Sequence, residues 1–141
     1  MSYLLDTCVL SELVRPRPAK AVVGWLGETA EIDLHLSVLT LGELHKGIAK
    51  LPATSAQRRR LAAWVDEELV IRFEDRILPI SSAVARRWGQ LAGAAERRGG
   101  GLPVIDALLA GTALEASLAV VTRNAEHFER AGVRVVNPWR G

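Results

Sequence analysis

Apolar and polar positions follow two periods along this chain, and the two periods alternate. Tyr3–Leu10 is an apolar run broken only by polar residues around Asp6, the pattern of a short, fully buried strand. Across Ala19–Gly27, the residues Val22, Val23, Trp25 and Leu26 predict a helix. Asp33-Leu34-His35-Leu36-Ser37-Val38 alternates with period two, as a half-buried strand does. From Leu41, the apolar residues Leu44, Ile48 and Leu51 return at helical spacing. Thr54 to about Phe73 predicts an amphipathic helix, with Leu61, Trp64, Val65 and Leu69 inward and Arg58-Arg59-Arg60 in its early turns. Ile77–Ile80 predicts a strand, Ser82 the cap of a helix running to Arg98, and Gly99-Gly100-Gly101 a break. Pro103 suits the first position of another helix, through about Ser117. Leu118–Thr122 reads as a continuous apolar strand and Val133–Val136 as a last short one.

Strands separated by helices predict an α/β fold in three layers, with a mostly parallel central sheet and helices on both faces. Ligands of such sheets sit beyond the carboxyl ends of the strands, where the strand order switches. At 141 residues, with no repeat, low-complexity tract or long linker, a single domain spanning residues 1–141 is expected. Hydrophobic residues at 49% and charged residues at 24% exclude bulk disorder. Cys8 is the only cysteine, which excludes a disulfide scaffold and fits a reducing cytoplasm. The opening MSYLLDTCVL lacks a basic n-region, so no signal peptide is read, and no run of about 18–20 apolar residues predicts a membrane span. The formal charge is +2, and the 18 basic residues are 15 Arg and 3 Lys. Arg binds phosphate through a bidentate fork, so the leaning is compatible with a nucleic-acid partner, although codon bias explains it more simply.

Isolated charges then direct attention to chemistry. Asp6 stands among Leu4, Leu5, Val9 and Leu10, where a carboxylate has to be paired, hydrogen-bonded or metal-bound. By itself it reads equally well as the cap of a following helix. Asp106 is the only charge between Arg98 and Glu115. The helix dipole favours an acid there, but apolar flanks on nearly every side favour a site. Glu43 closes Thr40-Leu41-Gly42-Glu43, which matches a capping box, and also follows the second strand directly. Asn124 ends the fourth strand, with Glu126 two residues on. Converging carboxylates repel one another unless a cation joins them, and an oxygen-only set suits Mg²⁺ or Mn²⁺ better than Zn²⁺. His35, His45 and His127 lack paired zinc spacing and read as surface or core residues; Cys8 reads as a small buried hydrophobe.

Rival phosphate chemistries fail on residues. Aspartyl-phosphate enzymes of the haloacid dehalogenase type need a second Asp where Cys8 stands, and they and receiver domains use a later Lys, yet no Lys follows Lys50. No GxxxxGK[ST] loop is present. By contrast, Leu4-Leu5-Asp6-Thr7-Cys8-Val9-Leu10-Ser11-Glu12, Leu36-Ser37-Val38-Leu39-Thr40-Leu41-Gly42-Glu43, Pro103-Val104-Ile105-Asp106-Ala107-Leu108-Leu109-Ala110 and Val121-Thr122-Arg123-Asn124 resemble the signature segments of PIN-domain ribonucleases. The chain resembles, more narrowly, the VapC-type toxins of bacterial toxin–antitoxin modules, down to the closing Asn137-Pro138-Trp139. The resemblance covers essentially the whole chain with its motifs in order.

That resemblance implies a PIN-like fold and a Mg²⁺- or Mn²⁺-dependent endoribonuclease, with Asp6, Glu43 and Asp106 as the three shared acids and Asn124 at a fourth position that is often Asp. Cys8 stands where Asn is common, and His127 where a second acid often follows. On this reading Asp6 and Asp106 ligate the metal directly, while Glu43 binds it through water or orients the nucleophile. Asn124 and Thr122 position water or substrate. Arg15, Arg17, Arg58, Arg59, Arg60, Arg86, Arg87, Arg97, Arg98 and Arg123 are candidates for holding the RNA backbone, the Arg58–Arg60 run foremost. Trp25, Trp64 and Trp88 are expected in the core, and Trp139 lies in the tail. The resemblance also implies a homodimer bound by a small antitoxin that covers the acidic pocket with a basic side chain. Two alternatives stand beside it: a PIN-like module that binds RNA or protein without cutting, and a DNA nuclease of the same fold.

Overall fold

A computed structural model describes residues 1–140. Its sheet contains β1 (Tyr3–Leu5), β2 (Leu34–Ser37), β3 (Ile77–Leu78), β4 (Ala119–Val121) and β5 (Val135–Val136). The spatial order is β3-β2-β1-β4-β5, and every paired neighbour is parallel. The chain winds outward from β1 to β3 and then returns to the other side of β1 to lay down β4. The switch point therefore falls between β1 and β4, where Tyr3, Leu4 and Leu5 register with Ala119, Val120 and Val121.

Adjacent strand residues face opposite layers because side chains alternate across a sheet. Leu5, Leu34, Leu36 and Val121 enter one core, with α1 (Thr7–Leu13), α2 (Lys20–Glu28), α3 (Val38–Ala49) and the helical stretch from Ala56 to Phe73 packed on it. Leu4 and Val120 enter the second core, against α7 (Val104–Ala116) and α8 (Ala125–Arg130). α6 (Ser82–Arg97) packs on α7 so closely that a Cβ at Gly111 would meet the Val84 carbonyl oxygen at 3.3 Å and the Trp88 nitrogen at 3.4 Å. The three-layer α/β arrangement expected from the pattern is the one observed.

Several boundaries differ, each for a local reason. The run Tyr3–Leu10 is a strand only to Leu5; the Asp6 carboxylate accepts the Thr7 N–H at 2.8 Å and starts α1 there. The Thr40–Glu43 capping box does not form. Ser37 caps α3, its hydroxyl accepting the Leu39 N–H at 3.0 Å, so Thr40 and Glu43 lie inside the helix. Ser81 rather than Ser82 caps α6, and Pro103 is the residue before α7 rather than its first. The expected helix from Thr54 begins at Ala56 as α4 (Ala56–Ala63), passes through a π-helical segment Trp64–Leu69, and ends as α5 (Val70–Phe73). Its inward residues Leu61, Val65, Leu69 and Phe73 recur every four positions, a spacing that drifts by about 40° per step on an α-helix. The wider π turn keeps them on one face.

Candidate active site at the carboxyl edge of the sheet

Asp6 leaves β1 at the switch point. Its backbone N–H still pairs with the Val121 carbonyl at 3.0 Å, so it belongs to the sheet edge and to the helix start at once. The carboxylate is buried, 5% exposed, and accepts three donors. These are the Thr7 N–H at 2.8 Å, the Thr122 hydroxyl at 2.7 Å and, weakly, the Cys8 thiol at 3.8 Å. Thr122 follows β4 directly, so its bond to Asp6 crosses the switch point. The Thr122 hydroxyl in turn accepts the Asn124 N–H at 2.9 Å.

Two further acids converge on Asp6. Burial pushes the Asp6 carboxyl above its ordinary value; the bonds from Thr122 and Thr7 oppose this, and the charges of Asp106 and Glu43 reinforce it. Asp106 sits in the first turn of α7 and Glu43 in the middle of α3, so three elements supply the three acids. Freed from any cap, Glu43 accepts the Thr7 hydroxyl at 2.5 Å. The Asp106 Oδ2 lies 2.6 Å from the Nδ1 of His127 on α8. The structure thus brings together the acids selected from sequence, and adds His127, read there as a surface or core residue.

Oxygen donors that repel one another in a half-buried pocket suit a hard divalent cation. Among the described residues, no three His, Cys, Asp or Glu side chains stand close enough to ligate one ion together. A closed structural zinc site is therefore a poor match. Mg²⁺ fits better, because it keeps several waters and takes only one or two carboxylates directly.

The other candidates divide. Asn124 is exposed just before α8 and its side chain makes no helix-capping bond. With Arg123, Glu126, His127, Glu129 and Arg140 it lines a polar cleft of about 380 Å³. Arg58 donates to the Leu51 carbonyl at 2.9 Å and Arg59 to the Thr54 carbonyl at 3.2 Å, so these two fasten the preceding loop. Neither they nor Arg60 line that cleft, or the apolar groove beside Glu43 formed with Leu44, Ile48, Leu61 and Trp64. Cys8 is half-buried, packed against the core and bordering Asp6 and Thr122; burial and the Asp6 charge push its thiol up, away from nucleophilic use.

The PIN domain pattern matches residues 3–133. The chain belongs to the PIN-domain family. Toxin FitB of Neisseria gonorrhoeae is 37% identical over 96% of this chain and 97% of its own length. VapC ribonuclease Y4jK of Sinorhizobium fredii is 32% identical over 96% of each chain. Among solved structures, that of FitAcB from Neisseria gonorrhoeae superposes with a TM-score of 0.92 at 36% identity, covering 99% of both chains. A toxin–antitoxin complex from Klebsiella pneumoniae superposes with a TM-score of 0.66 at 28% identity, covering 97% of this chain and 98% of that one. Among the described residues of this PIN domain, no helix is long and apolar enough to cross a membrane.

The contacts of two residues of this PIN-domain chain are not legible in its sequence. His127 stands where the resemblance sets a second acid, but its pairing with Asp106 leaves no mark in the sequence. Glu12 gave no signal; it is 4% exposed on α1 and accepts the Ala19 N–H at 3.0 Å and the Trp139 Nε1–H at 3.3 Å. Both bonds, with help from Arg15 and Arg123, hold its carboxyl below the usual range.

Proposed function

We propose that this chain is the endoribonuclease toxin of a toxin–antitoxin pair, and that Asp6 and Asp106 would ligate Mg²⁺, or Mn²⁺ in its place, at the carboxyl edge of the sheet, with Glu43 reaching the ion through water. The observation that carries the reading is the Thr7 bridge at the β1/β4 switch point, its N–H on Asp6 and its hydroxyl on Glu43, with Asp106 near enough for its charge to raise the Asp6 carboxyl. The named relatives support it: one is a toxin, one a ribonuclease, and one structural neighbour a toxin–antitoxin complex.

A divalent ion, when bound there, would supply Lewis acidity to a coordinated water and to the phosphodiester. Asp6, fixed by the Thr7 amide and the Thr122 hydroxyl, would be a static ligand. Glu43 accepts the Thr7 hydroxyl with one oxygen, and its other oxygen would orient a metal-bound or attacking water. Asp106 shares one oxygen with His127, which sets the orientation of the other. Thr122 acts through Asp6, whereas Asn124, exposed on the cleft, offers its amide to substrate. The partner is an antitoxin protein that neutralises this edge with a cationic side chain, and the toxin pairs with a second copy of itself.

The test is cleavage of a structured-RNA panel and matched DNA by purified, inhibitor-free protein in Mg²⁺, Mn²⁺ or EDTA, beside Asp6→Asn and Asp106→Asn. RNA cleavage that needs metal and falls by about two orders of magnitude or more in both variants is the expected result, on the scale of losing one preorganised charge-stabilising group. Wild-type turnover in either variant removes the site assignment. Preference for DNA points to a DNA nuclease, and RNA binding without cleavage to a non-catalytic module.

A further inference from the structure

Beside the carboxylates, one arginine is held more firmly than an exposed cation needs to be. Arg123 directly follows Thr122, whose hydroxyl holds Asp6. Its guanidinium carbon lies 4.5 Å from the ring centroid of Trp139, and its Nη2 lies 3.7 Å from the Glu12 carboxylate. Glu12 is itself fixed by the Ala19 and Trp139 N–H groups, and Trp139 by its backbone bond to the Asn137 side chain at 3.0 Å. A separation of 3.7 Å is an ion pair but too long for a hydrogen bond, so the guanidinium donors stay available. The Arg123 side chain is 52% exposed, with one face stacked and one edge steered. Rotamer freedom that an arginine gives up on binding is here largely given up beforehand.

The guanidinium borders the polar cleft, where Arg140 joins it and Asn124 follows Arg123 directly. Glu126 and Glu129 also line the cleft, so an anion entering it is attracted by Arg123 and Arg140 and repelled by the two acids. We propose that Arg123, mounted on Trp139 and Glu12 and assisted by Arg140, is the subsite for the RNA backbone phosphate adjacent to the one cut. Glu12 and Trp139 are positioning residues: they touch the arginine, not the RNA. The subsite rests on the ribonuclease reading above.

The mount makes a prediction that charge counting reverses. Removing the negative charge of Glu12 by Glu12→Gln should tighten RNA binding if only net charge matters, and should weaken it if Arg123 needs its support. Binding is read by fluorescence anisotropy of a labelled single-stranded RNA in EDTA across a salt series, and KM and kcat separately by cleavage in Mg²⁺. Arg123→Ala should weaken binding about tenfold and reduce the slope of log affinity against log salt by about 0.7, the value for one phosphate contact on a single strand. Arg123→Lys keeps the charge but not the stacked fork; it should keep the slope, raise KM about tenfold and leave kcat within about threefold. Arg134→Ala, at the amino end of the sheet beside Met1, loses the same charge and should change neither constant. Arg123→Ala and Arg123→Lys that match wild type in affinity, slope and KM overturn the subsite. Tighter binding by Glu12→Gln, with Arg123→Ala weakened as expected, overturns the mount. Failure of the wild type to cleave any RNA overturns the ribonuclease reading instead, and is seen in the same experiment.

Discussion

Burial and the charges of Asp106 and Glu43 raise the Asp6 carboxyl, against the pull of the Thr122 hydroxyl and the Thr7 amide. Because the folded pKa exceeds the unfolded one, the folded chain holds that proton more tightly. Stability is therefore fully kept below the ordinary value of 3.8 and is lost as pH rises through the folded value. Asp6→Asn removes the ionised state and still offers an oxygen to the Thr7 amide. In the absence of divalent cation it should melt at or above the wild type at neutral pH, with the advantage vanishing as pH falls toward 3.8. Thermal melts of both proteins from acid to neutral pH check this; an Asp6→Asn protein that is equally destabilised at every pH refutes it. The same residue was legible in sequence because it is a charge among apolar neighbours, and Asp106 was legible for the same reason. Glu12 was not, since what marks it is a partner 127 positions away, and the pairing of His127 with Asp106, 21 positions off, was equally invisible.

At the scale of elements, the layer order followed from the alternation of periods, while the starts of helices did not. A short apolar run such as Val9-Leu10 fits a strand or a buried helix equally, and only the bond from Thr7 to Asp6 decides it. Likewise Thr40-x-x-Glu43 satisfies a capping box wherever it falls. Ser37 closes β2 and caps α3 with its own hydroxyl, so the helix starts three residues earlier and Glu43 is released toward Thr7. Where α7 ends, Ser117 carries φ 56°, a left-handed conformation that costs a non-glycine residue about 1–2 kcal/mol. Ser117 is exposed, and neither the site nor the cleft includes it. Ser117→Gly should therefore stabilise the protein by about 0.5–1 kcal/mol after glycine's unfolded-state entropy is counted, a rise of a few degrees in melting temperature with cleavage unchanged. A lower melting temperature would show that the serine side chain has a structural partner the conformation does not reveal.

For the whole molecule, the site sits where the winding reverses: Asp6 on the end of β1, Thr122 on the end of β4, Asp106 on the helix that feeds β4, and Glu43 on the helix that follows β2. The two halves of the sheet thus meet through groups that repel one another, and a cation bridging them would stabilise the global fold rather than a loop. A ligand that binds only the folded state, present at about 100 times its dissociation constant, adds about 2.7 kcal/mol. Titrating Mg²⁺ into the wild type should therefore raise the melting temperature by several degrees and then saturate, and Mn²⁺ should do the same. NaCl at matched ionic strength should not reproduce the rise, because screening weakens the repulsion without joining the carboxylates. Asp6→Asn and Asp106→Asn should lose most of the shift. Arg123→Ala, which alters the cleft but none of the acids, should keep it. A rise that persists in both carboxylate variants would place the cation elsewhere on the molecule, and no rise in the wild type would leave the three acids without the ion that reconciles them.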